Sequence, residues 1–94
     1  MEIEIKAKAL KTLDEVANYV ESLNTAGAGS RWLDKFFLRI QAYAKPDVVY
    51  ALCKKAKLAK RSFSCITFNN WVVAFKITKG KFVIYEIIHG SLLS

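Results

Sequence analysis

The stretch that decides the fold is RSFSCITFNNWVVAFKITKGKFVIYEIIHG, residues 61–90. Branched and aromatic residues alternate with polar ones along it, and this period of two predicts strands at 61–68, 71–77 and 81–88. Two pairs of residues, Asn69-Asn70 and Lys79-Gly80, suit two-residue hairpin turns, because asparagine and glycine tolerate positive φ. The stretch therefore predicts a three-stranded antiparallel meander.

The N-terminal residues predict one more strand and the start of a helix. Residues 2–8 alternate glutamate or lysine with isoleucine or alanine, which is typical of a strand with one solvated face. The capping-box pattern Thr12-Leu13-Asp14-Glu15 then predicts a helix start, and apolar residues at helical spacing continue as far as Leu23. We therefore expect a strand followed directly by a helix.

A second helix is predicted after the break at residues 24–29. Ser30 can cap it, and large apolar residues recur at steps of three and four from Trp32 to Tyr43, which predicts a wide stripe packed on a sheet. Lys45-Pro46 ends the helix. Residues 47–57 carry only a weak helical pattern, which indicates at most a short third helix.

Together these elements predict an α+β fold: an N-terminal strand, a helical hairpin, then a three-stranded antiparallel meander forming one sheet packed on the helices. The chain has 94 residues, of which 53% are hydrophobic, and these suffice for one small core. We interpret residues 1–94 as a single domain, which excludes a multidomain enzyme, and the composition excludes a disordered or low-complexity chain.

The formal net charge of +7 favours a polyanionic or strongly acidic partner. Only two of the eight acidic residues, Asp47 and Glu86, lie after residue 46, so the positive charge is concentrated in the C-terminal half. Its densest feature is the basic segment, residues 54–61, which carries Lys54, Lys55, Lys57, Lys60 and Arg61. This segment suits contacts with nucleic-acid phosphates, although a solvated surface would account for it as well.

The predicted hairpin turns fix which side chains share a sheet face. If Phe68 pairs with Trp71 and Thr78 with Lys81, then the face away from the helices collects a cation pair, a phenol and an imidazole. These side chains belong to Arg61, Lys76, Tyr85 and His89. They could form a site for a phosphate or a base, or simply keep the face soluble. Glu86 falls on the core face in this register, which requires a β-bulge, an edge position or a slip of one residue.

The two cysteines, Cys53 and Cys65, have no neighbouring histidines at metal-ligand spacing and are too few for a disulfide framework. We expect reduced, buried thiols, no metal site and no cofactor. The N-terminus lacks a secretory pattern, and no apolar run has membrane-spanning length. The sequence therefore predicts a soluble cytoplasmic protein with no membrane partner.

The order of elements, with Lys60-Arg61-Ser62-Phe63, then NWVVAFKI at residues 70–77 and VIYEIIHGS at residues 83–91, resembles the RelE/ParE superfamily of bacterial type II toxins. The resemblance extends over nearly the whole chain, and the ending Ile88-His89-Gly90-Ser91 is similar to the plasmid-stabilisation branch. It implies a small basic toxin that is neutralised by an acidic antitoxin encoded beside it.

The resemblance also implies two alternative activities. Ribonuclease members cut messenger RNA in the ribosomal A site without metal, whereas ParE-type members inhibit DNA gyrase and cleave nothing, and a purely protein-binding role is a third alternative. On the ribonuclease interpretation, Arg61 would hold the scissile phosphate, Lys76 would be a second clamp, His89 would act as acid or base, and Tyr85 would stack on a base or donate a proton. Lys54, Lys55, Lys57 and Lys60 would contact RNA or the ribosome.

Overall fold

The chain folds in the predicted order of strand, two helices and three further strands, and the predicted α+β class is confirmed. This computed structural model describes residues 1–93. Its elements are β1 (Glu2–Ile5), α1 (Ala7–Leu23), α2 (Ala28–Tyr43), α3 (Ala56–Ala59), β2 (Ser64–Phe68), β3 (Trp71–Thr78) and β4 (Lys81–His89), followed by a 3₁₀ turn at Gly90–Leu93.

The four strands form one sheet in the order β1-β4-β3-β2. The strand β1 pairs with β4 in parallel, and the two hairpins of the meander are antiparallel, as predicted. Both two-residue turns are confirmed by the pairing of the residues that flank them. Asn69, Lys79 and Gly80 have positive φ in these turns, at 54°, 51° and 75°. Turn chemistry therefore sets the register at both ends of β3.

One face of the sheet, which we call the helix face, packs against α1 and α2. Apolar residues at helical spacing on both helices meet alternate residues of the strands, and aromatic rings fill much of the space between them. The fully buried members are Ala9, Leu13, Phe36, Ile40, Ile66, Val73, Phe75, Phe82, Ile84 and Ile87. This core contains the aromatic stripe predicted for the second helix.

The opposite face of the sheet, which we call the second face, carries an apolar cluster of its own. Leu58 and Phe63, from the chain between α2 and β2, are each 2% exposed and pack with Cys53 and Ala74. The sequence predicted this face as a site or a solvated surface. The basic segment lies across part of this face, because Leu58 within the segment and Phe63 just after it anchor it there. The lysines of the segment stay exposed around that anchor.

Both predicted helix starts differ from the structure. The helix α1 begins at Ala7, so Thr12 lies inside it, and the Thr12 hydroxyl donates a hydrogen bond to the carbonyl of Lys8. The helix α2 begins at Ala28, and Ser30 makes no capping bond. The predicted caps were wrong because a capping pattern is short and recurs inside helices. The actual cap of α2 comes from the preceding helix.

That cap is the carboxylate of Glu21, which accepts hydrogen bonds from the amides of Gly27 at 2.7 Å and Gly29 at 2.8 Å. The Gly29 and Gly27 amides lower the pKa of Glu21, since they stabilise its charged form. An acidic side chain at a helix N-terminus also complements the helix dipole. One side chain thus holds the turn of the helical hairpin.

Gly29 is expected to be essential for the contact between α1 and α2. A Cβ atom built on it would lie 2.5 Å from the backbone carbonyl oxygen of Ala17. Glycine-to-alanine changes inside helices normally stabilise by up to about 1 kcal/mol, whereas overpacking costs about 1–3 kcal/mol. We therefore expect Gly29→Ala to lower the free energy of unfolding by about 2 kcal/mol in urea titrations. Ser30→Ala, at the exposed neighbouring residue, is the control. A Gly29→Ala variant more stable than the wild type would refute the contact.

The strand β2 begins at Ser64, three residues later than predicted, so Arg61 lies in the turn before it rather than in the strand. Ser62 has a φ of 62°, and this left-handed residue redirects the chain between Arg61 and Phe63. Phe63 then enters the cluster on the second face. The strand alternation predicted from residue 61 therefore does not hold at Arg61, which is a residue of the predicted site.

The expectation of free thiols was wrong, because Cys53 and Cys65 form a disulfide. The irregular chain after α2 runs alongside β2, where the Cys53 amide donates to the carbonyl of Phe63 at 2.9 Å. This brings the two Cα atoms to 5.1 Å across 12 residues of sequence separation. Nothing in the local sequence indicates such a return.

No helix in residues 1–93 combines the length and hydrophobicity needed to cross a bilayer.

Candidate functional site

A β-bulge in β4 decides which side chains reach the second face. Ala74 pairs with Glu86 but the next residue, Phe75, pairs with Ile84, so Tyr85 is the extra residue of the longer strand. Beyond the bulge the alternation of β4 is reversed relative to the predicted register. The predicted register put Glu86 on the core face, which required a bulge, an edge position or a slip of one residue. The structure has the bulge. Glu86 therefore lies on the second face.

The carboxylate of Glu86 is the most buried charged group of the site, with 7% of its side chain exposed. It accepts hydrogen bonds from the Lys8 ammonium and from the Arg61 guanidinium, one on each oxygen. Burial alone would raise the pKa of Glu86, but the hydrogen bonds and charges of Lys8 and Arg61 outweigh it and hold the pKa below its ordinary value. Glu86 is thus a fixed anion that orients Arg61.

Two aromatic rings stand beside this ion pair, and cations lie over them. The Phe63 and Tyr85 ring centroids are 5.3 Å apart. Arg61 places its guanidinium carbon 4.7 Å from the Phe63 centroid, and the Lys76 ammonium lies 4.9 Å from Phe63 and 5.6 Å from Tyr85. The Lys6 ammonium lies 5.7 Å from the Tyr85 centroid. These distances are within the range of cation–π attraction.

We call this group the cation patch: it consists of Lys6, Lys8, Arg61 and Lys76 around Phe63, Tyr85 and Glu86. Its side chains come from the residue after β1, the start of α1, the chain just before β2, and the two central strands. Lys6 also pairs with Glu4 at 2.8 Å, which raises the pKa of Lys6 and lowers that of Glu4. Four cations therefore lie close together on the sheet, and two of them, Lys8 and Arg61, contact the buried carboxylate of Glu86.

Three of the four residues predicted to form the site, Arg61, Lys76 and Tyr85, are brought together in this patch. The fourth is not. His89 pairs with Trp71, whose neighbour in β2 is Phe68, and these residues belong to the helix face. The prediction that His89 shares a face with Arg61 was wrong because the bulge reverses the strand after Tyr85. The His89 ring lies edge-on to Trp71 at 5.1 Å, and its Nδ1 is 2.8 Å from the Ser91 hydroxyl.

The four lysines of the basic segment lie beside the patch rather than in it. Lys54 and Lys55 precede α3, Lys57 is within it and Lys60 follows it, and all four are exposed. Lys54 and Lys55 also line a depression of about 460 Å³ that extends to β2. None of the four takes part in an ion pair among residues 1–93. Their charge is therefore available to a partner.

Sequence reasoning missed three charged residues of the patch: Lys6, Lys8 and Glu86. Lys6 and Lys8 reach it because β1 pairs in parallel with β4, a long-range pairing that leaves no mark in the local pattern. Glu86 did leave a signal, since a carboxylate inside an apolar strand on a presumed core face is costly. That signal had indicated a bulge without fixing its position.

The arrangement can bind a phosphate or another anion. Arg61 offers a planar fork of donors already held by Glu86, and Lys76 adds a mobile point charge next to it. Tyr85 adds an aromatic face on which a base can stack, and it carries a phenol that can donate a hydrogen bond. Glu86 is engaged on both oxygens and kept ionised, so it is poorly suited to take up a proton.

Comparison of the sequence with models of known protein families finds no match. None of the curated proteins is detectably similar to it either. Among residues 1–93, no group of three or more histidine, cysteine, aspartate or glutamate side chains is placed to hold a metal ion. The function must therefore be argued from the cation patch and the surface around it.

Proposed function

We propose that this protein is the toxin of a type II toxin–antitoxin module of the RelE/ParE kind, acting in the cytoplasm as a metal-independent, ribosome-dependent messenger RNA endonuclease. The observation that supports the proposal is the convergence of Arg61, Lys76 and Tyr85 from three parts of the chain onto one place of the sheet. The exposed lysines of the basic segment extend the positive surface away from it.

In this proposal Arg61 and Lys76 hold the scissile phosphate. The ribose 2′-oxygen forms a bond to phosphorus and gives its proton to solvent water, while the bond from phosphorus to the 5′-oxygen of the next nucleotide breaks. Negative charge grows on the phosphate oxygens, and Arg61, which Glu86 orients, and Lys76 stabilise that charge. Glu86 and Lys8 keep the guanidinium of Arg61 oriented before RNA arrives, which lowers the cost of reorganisation. Tyr85 stacks on a base next to the scissile bond or protonates the leaving oxygen.

The lysines of the basic segment, Lys54, Lys55, Lys57 and Lys60, contact flanking phosphates of the messenger or of the ribosome. Each phosphate contact releases counterions, so binding should fall steeply as salt increases. The same surface suits an acidic antitoxin encoded beside the toxin, which would compete with RNA for the free cations. A short adjacent reading frame with an acidic product is therefore expected.

A second candidate function, a toxin that binds DNA gyrase or another protein without cleaving RNA, is favoured by one specific observation. Glu86 is held by two cations, and His89 lies on the helix face. Neither Glu86 nor His89 is therefore placed to act as a general base beside Arg61. A binding toxin needs the same positive surface but no proton transfer.

Expression in bacteria without the antitoxin separates the two candidates. The endonuclease should arrest growth and produce new messenger ends in primer extension, whereas the gyrase inhibitor should leave messengers intact and block supercoiling. We expect Arg61→Ala and Lys76→Ala each to reduce cleavage by about 100-fold or more, since removing one stabilising donor costs about that much. Arg31→Ala, an exposed arginine on α2, is the charge-matched control.

Two outcomes would decide against the proposal. If wild-type protein neither arrests growth nor cleaves messenger nor inhibits gyrase, the toxin function fails. If Arg61→Ala keeps full activity while replacing Lys54, Lys55, Lys57 and Lys60 together by glutamine removes it, the activity depends on the four lysines and not on Arg61, as expected of a binding module. Circular dichroism of each variant checks that folding is retained.

A further inference from the structure

A second cleft lies on the helix face and takes no part in the cation patch. It has a volume of about 440 Å³ and opens between α1, the turn after β2 and the end of β4. Both tryptophans of the chain line it, together with a tyrosine, a carboxylate, two amides and the imidazole displaced by the bulge. The lining residues that bear on its ligand are Glu15, Tyr19, Trp32, Asn69, Asn70 and Trp71.

The charge of this cleft is opposite to that of the protein. The chain carries a net charge of +7, yet the lining contains no lysine or arginine and one carboxylate, that of Glu15. Glu15 is exposed and has no ion pair or hydrogen bond in the described chain. Arg31 and Lys35 line only the adjoining depression. The lining of the cleft therefore carries a carboxylate and no lysine or arginine, in a protein whose net charge is positive.

The aromatic rings of the cleft suit the same kind of ligand. Trp32 is fixed against the core, stacked on Phe36 at 5.7 Å and edge-on to Phe68 at 5.5 Å. Trp71 is fixed by its contact with His89, and Tyr19, at 65% exposure, stands at the rim. Tryptophan and tyrosine faces attract cations through the ring quadrupole, and cages of such rings with a nearby carboxylate recognise quaternary ammonium groups.

We propose that this cleft binds a small organic cation, of the alkylammonium class, with its charged head against Trp32, Trp71 and Glu15. The two asparagine side chains at the turn offer amide donors and acceptors to the polar part of such a ligand. The volume is within the range of small-molecule sites. The site is independent of the cation patch, because it lies on the other face of the sheet.

The two tryptophans make the test direct, because they are the only tryptophans of the protein and both line the cleft. Choline is titrated against intrinsic tryptophan fluorescence at constant ionic strength. Its uncharged isostere, 3,3-dimethyl-1-butanol, has nearly the same shape and lacks the charge. We expect a saturable fluorescence change with choline and at least about tenfold weaker binding of the alcohol.

Glu15→Gln should weaken choline binding by about fivefold or more, since it removes the carboxylate and keeps the shape. Asp14→Asn is the matched control: it removes the same charge from the neighbouring residue of α1, which does not line the cleft. The inference is overturned if choline gives no saturable signal, if the alcohol binds equally well, or if both variants weaken binding alike. None of these outcomes depends on toxin activity.

Discussion

Replacing Lys8 and Arg61 together by methionine is expected to destabilise the protein by about 3 kcal/mol, far more than either replacement alone. Lys8 and Arg61 have 75% and 55% of their side chains exposed, so one of them on its own contributes little, under about 1 kcal/mol. Glu86 has only 7% of its side chain exposed. Without either cation it becomes a buried charge with no compensation, which is the costly state.

The dependence of stability on pH should change sign in this double variant. In the wild type the pKa of Glu86 lies below its ordinary value of 4.5, so its contribution is complete above that pH and is lost as pH falls through the lowered pKa. In the double variant burial is left unopposed and raises the pKa of Glu86. Folding is then penalised at neutral pH, and the penalty is relieved as the carboxyl takes up a proton on acidification.

Urea unfolding at about pH 7, about pH 5 and about pH 3 measures both effects, because the wild type loses the contribution of Glu86 only below its ordinary pKa of 4.5. Glu4 and Glu21, whose pKa values are also lowered, contribute equally to all variants. A triple variant that adds Glu86→Gln supplies the control, because it removes the buried charge and should recover most of the loss at pH 7. If the double variant equals the sum of the single variants and keeps the wild-type pH dependence, Glu86 is not the centre of the patch.

Local pattern was sufficient to predict most of the fold. Alternation identified the strands, and the turn residues Asn69-Asn70 and Lys79-Gly80 fixed the register on both sides of β3, because positive φ is a local property of those residues. The apolar stripe of α2 was also predictable, because it follows from the spacing of residues within that helix. The predicted helix starts were wrong. The cap of α2 is the carboxylate of Glu21, which lies in the preceding helix and is therefore not part of a short capping motif.

The site was only partly predictable, for a related reason. Lys76 and Tyr85 were found because the predicted alternation holds as far as the bulge, and Arg61 was found because it reaches Glu86 on the second face from the turn before β2. His89 lies beyond the bulge and was assigned to the wrong face. The bulge places Glu86 against Lys8 of α1, a contact between residues 78 positions apart. Such contacts follow from the tertiary fold and not from spacing.

Reduction of the Cys53–Cys65 disulfide is expected to lower the free energy of unfolding by about 3 kcal/mol. The bond closes a loop across 12 residues of separation, and opening it returns conformational entropy to the unfolded chain. All the lysines of the basic segment and Arg61 lie inside this loop. The bond therefore restrains the whole surface that the proposed function uses.

Urea unfolding measures the effect. It is applied to the wild-type protein with and without a phosphine reductant, and to the Cys53→Ala/Cys65→Ala variant. The reduced wild type should match the variant, and the reductant should not change the variant. Amide hydrogen exchange adds a local readout: residues 54–62 should exchange faster after reduction than before, relative to the amides at the centre of β4. Two titratable thiols in the unreduced native protein, or unchanged stability on reduction, would contradict the bond.

The consequence for activity follows from the anchor that remains after reduction. Leu58 and Phe63, each 2% exposed, still hold the segment on the second face without the disulfide, while the irregular chain before α3 loses its tether. Thiols are kept reduced in the cytosol, where the proposed toxin acts. We therefore expect the reduced protein to retain anion binding through Arg61, which Glu86 orients, and to lose mainly the ordered placement of Lys54 and Lys55 next to Cys53. Salt-dependent RNA binding, compared between the two redox forms, should show a smaller slope for the reduced form.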